Sequence, residues 1–172
     1  MRAVAATRLF RSLALSSLSL ALSGGCAPLD TQQDGAYALT AVDVLRDECG
    51  LLASNEALWD GELRTAGDVL YMRYGLMEDM NLVGFFLGGT GGKGFMLDGS
   101  VSNALVTARN TQQCLVDQVT VHLEGQTLSP TEFEGVLRVR YEPRPQDVAG
   151  CACELWVEYR AVQNQSPSAS SP

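Results

Sequence analysis

Five cysteines are the residues of this chain whose chemistry depends most on spacing: Cys26, Cys49, Cys114, Cys151 and Cys153. Cys151 and Cys153 lie two apart in an alternating segment, where side chains point the same way with Cα atoms about 7 Å apart. That separation is too long for a disulfide, so each should bond a distant partner. We favour Cys49 with Cys153 and Cys114 with Cys151, while the swapped pairing stays open. The spacing lacks the Cys-x-x-Cys pairs of zinc and redox sites, so no metal site is predicted.

The chain has one histidine, His122, on the charged face of a predicted strand. A Ser-His-acid triad on a Gly-x-Ser-x-Gly turn cannot be built, because the sequence lacks that turn. Asp60, Asp98, Glu124 and Glu134 each precede a glycine, and alternation places them on the outer face. A glycosidase needs two carboxylates that converge in a cleft. We therefore predict no catalytic residue and a protein that is not an enzyme.

The glycine-rich segment Gly88–Gly94 is the one candidate for a phosphate-binding loop. A P-loop needs a glycine where Leu87 stands and a serine or threonine where Gly94 stands, and it opens a helix. This segment instead falls between two predicted strands, which is typical of a flexible hairpin tip. No cofactor is predicted.

The elements that position these residues are short strands. Residues 133–141 alternate between a mainly apolar and a mainly charged face, and residues 151–161 repeat the pattern, which indicates antiparallel strands with one buried face. Similar runs cover residues 36–45, 57–66, 68–75, 81–87, 94–101, 103–109 and 115–124. Residues 42–52 could instead form a helical turn or two. We predict an all-β fold, a single antiparallel meander of about eight or nine strands forming a small barrel, with a β-sandwich as the alternative.

A hydrophobe-x-glycine pattern recurs five times, and its glycines share a face with the core hydrophobes: Gly61, Gly84, Gly99, Gly125 and Gly135. We expect these glycines to bend strands or to let an aromatic ring lie over bare backbone. The alternative is that they open a ligand cavity. In strand count and glycine placement the sequence is similar to lipocalin-type small barrels, although it has Gly35-Ala36-Tyr37 in place of that family's Gly-x-Trp motif.

The N-terminal segment has the layout of a secretory signal. Arg2, Arg8 and Arg11 precede the apolar run 13–22, and small residues then lead to Cys26. A run of this length is too short to span a bilayer, which takes roughly 20 residues. The segment resembles the lipobox signal of bacterial lipoproteins, which implies cleavage before Cys26 and lipidation (palmitate) of that residue. An unpaired fifth cysteine in an exported domain favours this interpretation, because acylation leaves four cysteines for two disulfides.

Two other interpretations of the leader stay open, a soluble secreted or periplasmic protein cleaved after Ser23 and an organellar transit peptide. In lipoproteins of two-membrane bacteria, Asp after the lipidated cysteine retains the protein at the inner membrane. Ala27 stands there, so the resemblance implies the outer membrane.

Four segments are predicted: 1–25 as signal peptide, 26–35 as lipidated cysteine and tether, 36–163 as one β domain, and 164–172 as a disordered Ser/Pro tail. Three of the 12 basic residues and none of the 20 acidic ones lie in residues 1–25. The rest therefore carries nine basic and 20 acidic residues, a net charge of −11. A surface of this charge repels nucleic acid and anionic headgroups, so neither is predicted as a partner.

These observations predict a non-enzymatic, lipid-anchored envelope domain that acts as a binding or structural module. Its expected partners are the membrane, through the lipid, and another envelope protein. The alternative is a lipocalin-like carrier of a small apolar ligand, with Tyr71, Phe85, Phe95 and Leu137 lining the barrel; an envelope hydrolase is a distant third. Trp156, on an otherwise charged face, is our candidate for an exposed apolar patch.

Overall fold

The chain forms an all-β structure in a computed structural model. The model describes residues 32–52, 58–78, 80–89, 92–107, 113–144 and 151–164. Cys26, the predicted leader and most of the tether lie outside these ranges, as do residues 165–172 of the tail. In the described ranges no helix has the length and hydropathy needed to cross a membrane.

Eight antiparallel strands form one closed barrel. They are β1 (Gly35–Asp47), β2 (Gly61–Ala66), β3 (Val69–Tyr74), β4 (Asn81–Leu87), β5 (Gly94–Thr107), β6 (Gln113–Ser129), β7 (Glu132–Pro143) and β8 (Cys153–Gln163). Each strand pairs with the next along the chain, and β8 pairs with β1 to close the ring. The predicted antiparallel meander is confirmed, and it forms a barrel rather than a sandwich.

Two local expectations differ from the structure. The runs 94–101 and 103–109 belong to one strand, β5, which continues through Asn103 with a positive φ of 54°. Arg144 fixes this point by donating from Nη2 to Asn103 Oδ1 at 2.6 Å. The helical turn considered for residues 42–52 is wrong, because β1 continues to Asp47.

Aromatic side chains fill the barrel interior. Ring centroids lie 5.0 Å apart for Tyr37 and Phe133, 5.2 Å for Phe95 and Phe133, and 6.0 Å for both Phe133–Tyr159 and Phe86–Phe95. Four of these five rings are at most 1% exposed and Phe86 is 4% exposed. Edge-to-face contacts at such distances contribute about 0.5–1.5 kcal/mol per pair beyond the burial of apolar area. These rings therefore pack against one another inside the barrel.

The residues named for a ligand-filled interior divide between the two faces of the wall. Phe95 and Leu137 are fully buried inside, whereas Tyr71 and Phe85 are 46% and 51% exposed on the outside. The placement of Tyr71 and Phe85 inside is thus wrong. In β3 and β4 the buried positions are the even-numbered residues, so odd-numbered Tyr71 and Phe85 face outward.

The two ends of the barrel differ. One end, called here the disulfide end, carries the bonds Cys49–Cys153 and Cys114–Cys151, with Cα–Cα distances of 5.1 and 5.8 Å. These are the pairs that the sequence analysis favours. The first bond ties the start of β8 to the segment that follows β1, and the second ties the residues just before β8 to β6.

At the opposite end, called the N-terminal end, the chain enters the fold. Gln32 is buried there and donates from Nε2 to Pro130 O at 3.0 Å, while Gln33 N donates to the same carbonyl at 2.8 Å. Tyr37 Oη in turn donates to Gln33 O at 2.8 Å. The entering segment is thereby fixed beside the β6–β7 turn.

Candidate functional site

The outer wall is indented where two glycines face each other. Inward-facing Phe95, Gly125, Gly135 and Tyr159 pair in one row across β5, β6, β7 and β8. A Cβ on Gly125 would lie 2.2 Å from Phe95 Cζ, and one on Gly135 would lie 1.9 Å from the carbonyl oxygen of Glu124. Neither position tolerates a side chain without movement of its neighbours. This is the close approach that the glycine pattern predicts, with an aromatic ring over bare backbone.

Above this glycine pair lies a groove of about 580 Å³ that crosses the outer wall from β4 to β1. We call it the outer groove. Its lining residues are Val42, Leu87, Gly94, Phe95, Glu124, Gly125, Gln126, Glu134, Gly135, Val136, Glu158 and Tyr159. The set contains three carboxylates and no lysine or arginine. It can therefore receive a group that combines positive charge with apolar surface.

Two of the three groove carboxylates form no ion pair within the described part of the chain. Glu134 and Glu158 lie on β7 and β8, and Val136 stands directly opposite both Glu124 and Glu158. Glu124 itself contacts His122 Nε2 at 3.1 Å and Arg138 Nη2 at 3.8 Å. Arg160 stands opposite Glu134 and attracts it electrostatically, so Glu158 is the groove carboxylate left without a cation opposite it across β7.

His122 lies beside the groove between two carboxylates. Its Nδ1 is 2.6 Å from Asp98 Oδ1, and its Nε2 is 3.1 Å from Glu124 Oε1. Burial of the ring lowers the pKa of His122, but the hydrogen bonds to Asp98 and Glu124 outweigh burial, so the pKa is raised above its ordinary value. Since both ring nitrogens are engaged, neither is free to deprotonate a hydroxyl nucleophile.

The same geometry bears on metal binding. Asp98 and Glu124 contact opposite nitrogens of the His122 ring, so the three side chains do not converge on one point. Among the described residues, no group of three or more histidine, cysteine, aspartate or glutamate side chains is placed to hold a metal ion.

Trp156 is not a bare apolar patch, so that expectation is wrong. The guanidinium carbon of Arg138 lies 4.6 Å from the centroid of the indole ring, and that of Arg46 lies 5.7 Å from it. Cross-strand pairing produces this sandwich, because Trp156 stands directly opposite both arginines. Cation–π attraction of this kind contributes about 0.5–1 kcal/mol at an exposed site.

Exposed apolar side chains lie on β1, at Val42, Val44 and Leu45, and on a continuous surface of β3, β4 and β5. We call it the apolar face, and it consists of Val69, Tyr71, Val83, Phe85, Leu87 and Met96. Four of them, Tyr71, Val83, Phe85 and Leu87, are between 46 and 51% exposed. Sequence reasoning missed this face. The available signal was β4 itself, Leu82-Val-Gly-Phe-Phe-Leu87, in which neither parity carries a polar side chain.

The Gly88–Gly94 segment connects β4 to β5, as expected for a hairpin loop. Gly88 and Gly89 have φ values of 93° and 80°, which favour glycine, and β5 begins at Gly94 where a P-loop would open a helix. Thr127 N donates to Lys93 O at 2.8 Å, which holds the end of the loop against β6. In the described part of this segment a strand follows the loop, whereas a P-loop requires a helix there.

No protein-family model, no curated protein and no solved structure matches this chain. We therefore infer its function from the outer groove, the apolar face and the filled interior.

Proposed function

We propose that this protein is a non-enzymatic, lipid-anchored binding module of the bacterial cell envelope, whose outer groove receives a partner protein. The single observation that carries the proposal is the place of its concavity. The groove of about 580 Å³ lies on the outer wall, above a barrel whose interior is filled by its own rings.

The packed interior favours a binding module over a carrier. A carrier buries most of its ligand in a largely preformed cavity of about 300–1,000 Å³. Here the space that such a ligand would occupy holds Tyr37, Phe95, Phe133 and Tyr159. Admitting a ligand would require separating rings that contact one another.

The groove also indicates the chemistry of the partner. Glu124 and Glu158 are two strands apart, about 9.6 Å, with Val136 between them. In a polyproline II segment, residues three positions apart lie on the same side of the chain, about 9.3 Å apart. A partner segment in that conformation, with basic residues three positions apart, would therefore place one cation beside each carboxylate.

The envelope address is supported by the cysteines. Disulfides persist in oxidising compartments, and the barrel contains two of them. Cys26 is the one cysteine left over, and it follows the lipobox-like leader. A lipid on Cys26, with an outer-membrane destination implied by Ala27, accounts for this odd cysteine.

The anchor is tested by metabolic labelling with an alkyne analogue of palmitate, followed by membrane fractionation. Wild-type chain should carry the label and sediment with outer membranes, whereas Cys26→Ala should lose both. Stable anchoring needs two or more hydrophobic attachments, since a single acyl chain holds a protein only marginally. A labelled Cys26→Ala chain, or an unlabelled wild type, would refute the anchor.

The groove is tested by photo-crosslinking in cells, with benzoylphenylalanine in place of Val136. The matched control carries the same residue in place of Leu105, which is 60% exposed near the disulfide end. We expect a discrete adduct from position 136 that Glu134→Gln together with Glu158→Gln weakens. Equal adducts at positions 136 and 105 would show that the groove is not the binding surface.

A further inference from the structure

We propose that the apolar face rests on the lipid surface to which Cys26 anchors the chain, so that the barrel is oriented with its N-terminal end toward the membrane. This inference rests on the lipid anchor of the proposed function. It adds the orientation of the barrel and the residues that contact lipid.

The position of the face along the barrel is the first argument. β4 ends at Leu87 and β3 begins at Val69, and both residues lie at the N-terminal end, where the chain enters the fold at Gln32. Leu128 and Val162, on β6 and β8, are 41 and 48% exposed at that same end. Apolar side chains are therefore exposed on several sides of the N-terminal end.

The length of the tether is the second argument. Six residue steps separate Cys26 from Gln32, and a fully extended chain covers at most about 3.6 Å per step, so the lipid lies within roughly 22 Å of Gln32. The exposed pair Leu105 and Leu115 lies near the other end, about 36 Å along β5 from Gly94 at 3.3 Å per residue. The tether thus keeps the N-terminal end near the bilayer.

The distribution of charge is the third argument. The six residues of the apolar face carry no ionisable group except the phenol of Tyr71. Lys93, the one lysine of the chain, is exposed beside Leu87 and can lie at the level of lipid phosphates. Acidic side chains lie at both ends of the barrel, with Glu48, Asp60, Glu78, Asp117 and Glu142 toward the disulfide end and Asp34, Asp68 and Glu132 at the N-terminal end. The surface that can meet lipid is therefore the apolar face itself, which carries no charge.

The test uses tryptophan as a depth probe in vesicles of phosphatidylcholine with brominated acyl chains. Protein with Phe85→Trp is compared with protein carrying Leu105→Trp, and Trp59 and Trp156 give the same background in both. Side chains at the headgroup–acyl boundary meet the bromines, so quenching at position 85 should be at least about twice that at position 105. Equal quenching at the two positions would overturn the inference.

The second measurement is the rate at which anchored protein transfers from these vesicles to an excess of unlabelled acceptor vesicles. Phe85→Ser with Leu87→Ser should speed transfer by about tenfold or more, because apolar area in contact with lipid is lost. Leu105→Ser with Leu115→Ser removes a similar exposed area at the other end and should leave the rate unchanged. Equal rates for the two double variants would overturn the inference. A dimer detected by light scattering that Phe85→Ser with Leu87→Ser dissociates, and Leu105→Ser with Leu115→Ser does not, would also overturn it, because a second copy would then cover the face.

Mass spectrometry of the peptide that contains Cys26 separates this inference from the proposed function. A lipid on Cys26 without preferential quenching at position 85 overturns the orientation and leaves the anchor in place. A free Cys26 thiol refutes the anchor. The thiol is then coupled to a maleimide phospholipid, which is selective because the other four cysteines are in disulfides, and quenching is read in the same way.

Discussion

Replacement of Gly125 by alanine tests whether the Phe95 ring excludes a side chain at this position of the wall. The added Cβ would lie 2.2, 2.5 and 2.7 Å from three atoms of the Phe95 ring, Cζ, Cε2 and Cε1. The ring is fully buried and contacts Phe86 and Phe133, so it can move only by disturbing its neighbours. Overpacking of this kind costs about 1–3 kcal/mol. We expect Gly125→Ala to lower the free energy of unfolding by about that amount.

A second substitution isolates the ring as the cause. Leucine at position 95 lacks the three ring atoms that meet the new Cβ, so Gly125→Ala should cost at least about 1 kcal/mol less in a Phe95→Leu background. Gly135→Ala is the matched control. Its Cβ would meet backbone, with Glu124 O at 1.9 Å and Gly125 Cα at 2.9 Å, so Phe95→Leu should not relieve it.

Urea unfolding followed by tryptophan fluorescence measures these free energies, provided the m-value stays constant across the four-variant cycle. An equal cost of Gly125→Ala with phenylalanine or leucine at position 95 would refute the claim that the ring enforces this glycine. Relief of Gly135→Ala by Phe95→Leu would refute the claim that backbone enforces the other.

Three further outcomes are expected. Cys49→Ser should lower the free energy of unfolding by about 0.9 kcal/mol more than Cys114→Ser, because the bonds close loops with sequence separations of 104 and 37; equal losses in urea would contradict this. The pKa of His122 is raised in the folded state, so its contribution to stability is complete below the unfolded pKa and disappears as the pH rises through the folded pKa. NMR titration of this one histidine should show a lower pKa in Asp98→Asn, and an unchanged pKa would contradict the ion pair. Arg138→Ala should cost about 0.5–1 kcal/mol in the same urea assay through lost contact with the indole ring, and the conservative lysine variant should restore part of it.

Alternation and turn residues sufficed to predict the antiparallel meander, because in β6, β7 and β8 the inward positions are apolar and most outward positions are polar. The same pattern excluded a Cys151–Cys153 bond but left open which of Cys49 and Cys114 each of them bonds, and the structure decides between the two pairings. The apolar face was missed, because the carrier alternative placed Phe85 inside the barrel although the Leu82-Val83-Gly84 motif assigns the other parity of β4 to the core. In the structure Gly84 faces inward and pairs with Leu70. Similarly, sequence placed Trp156 outward but could not show that Arg46 and Arg138 stand opposite it.

The outer groove illustrates why a site can escape sequence reasoning even when its cause is visible. The motif glycines were interpreted singly, each as a bend in its own strand or as bare backbone beneath an aromatic ring. The indentation needs Gly125 and Gly135 to be direct partners on adjacent strands, which depends on the β6–β7 register. A shift of two residues would preserve every inward and outward assignment and yet place Gly125 opposite Phe133 or Leu137, where a side chain would fill the indentation. The concave surface is therefore a property of pairing, and substitutions that alter the β6–β7 turn should affect the groove as strongly as substitutions within it.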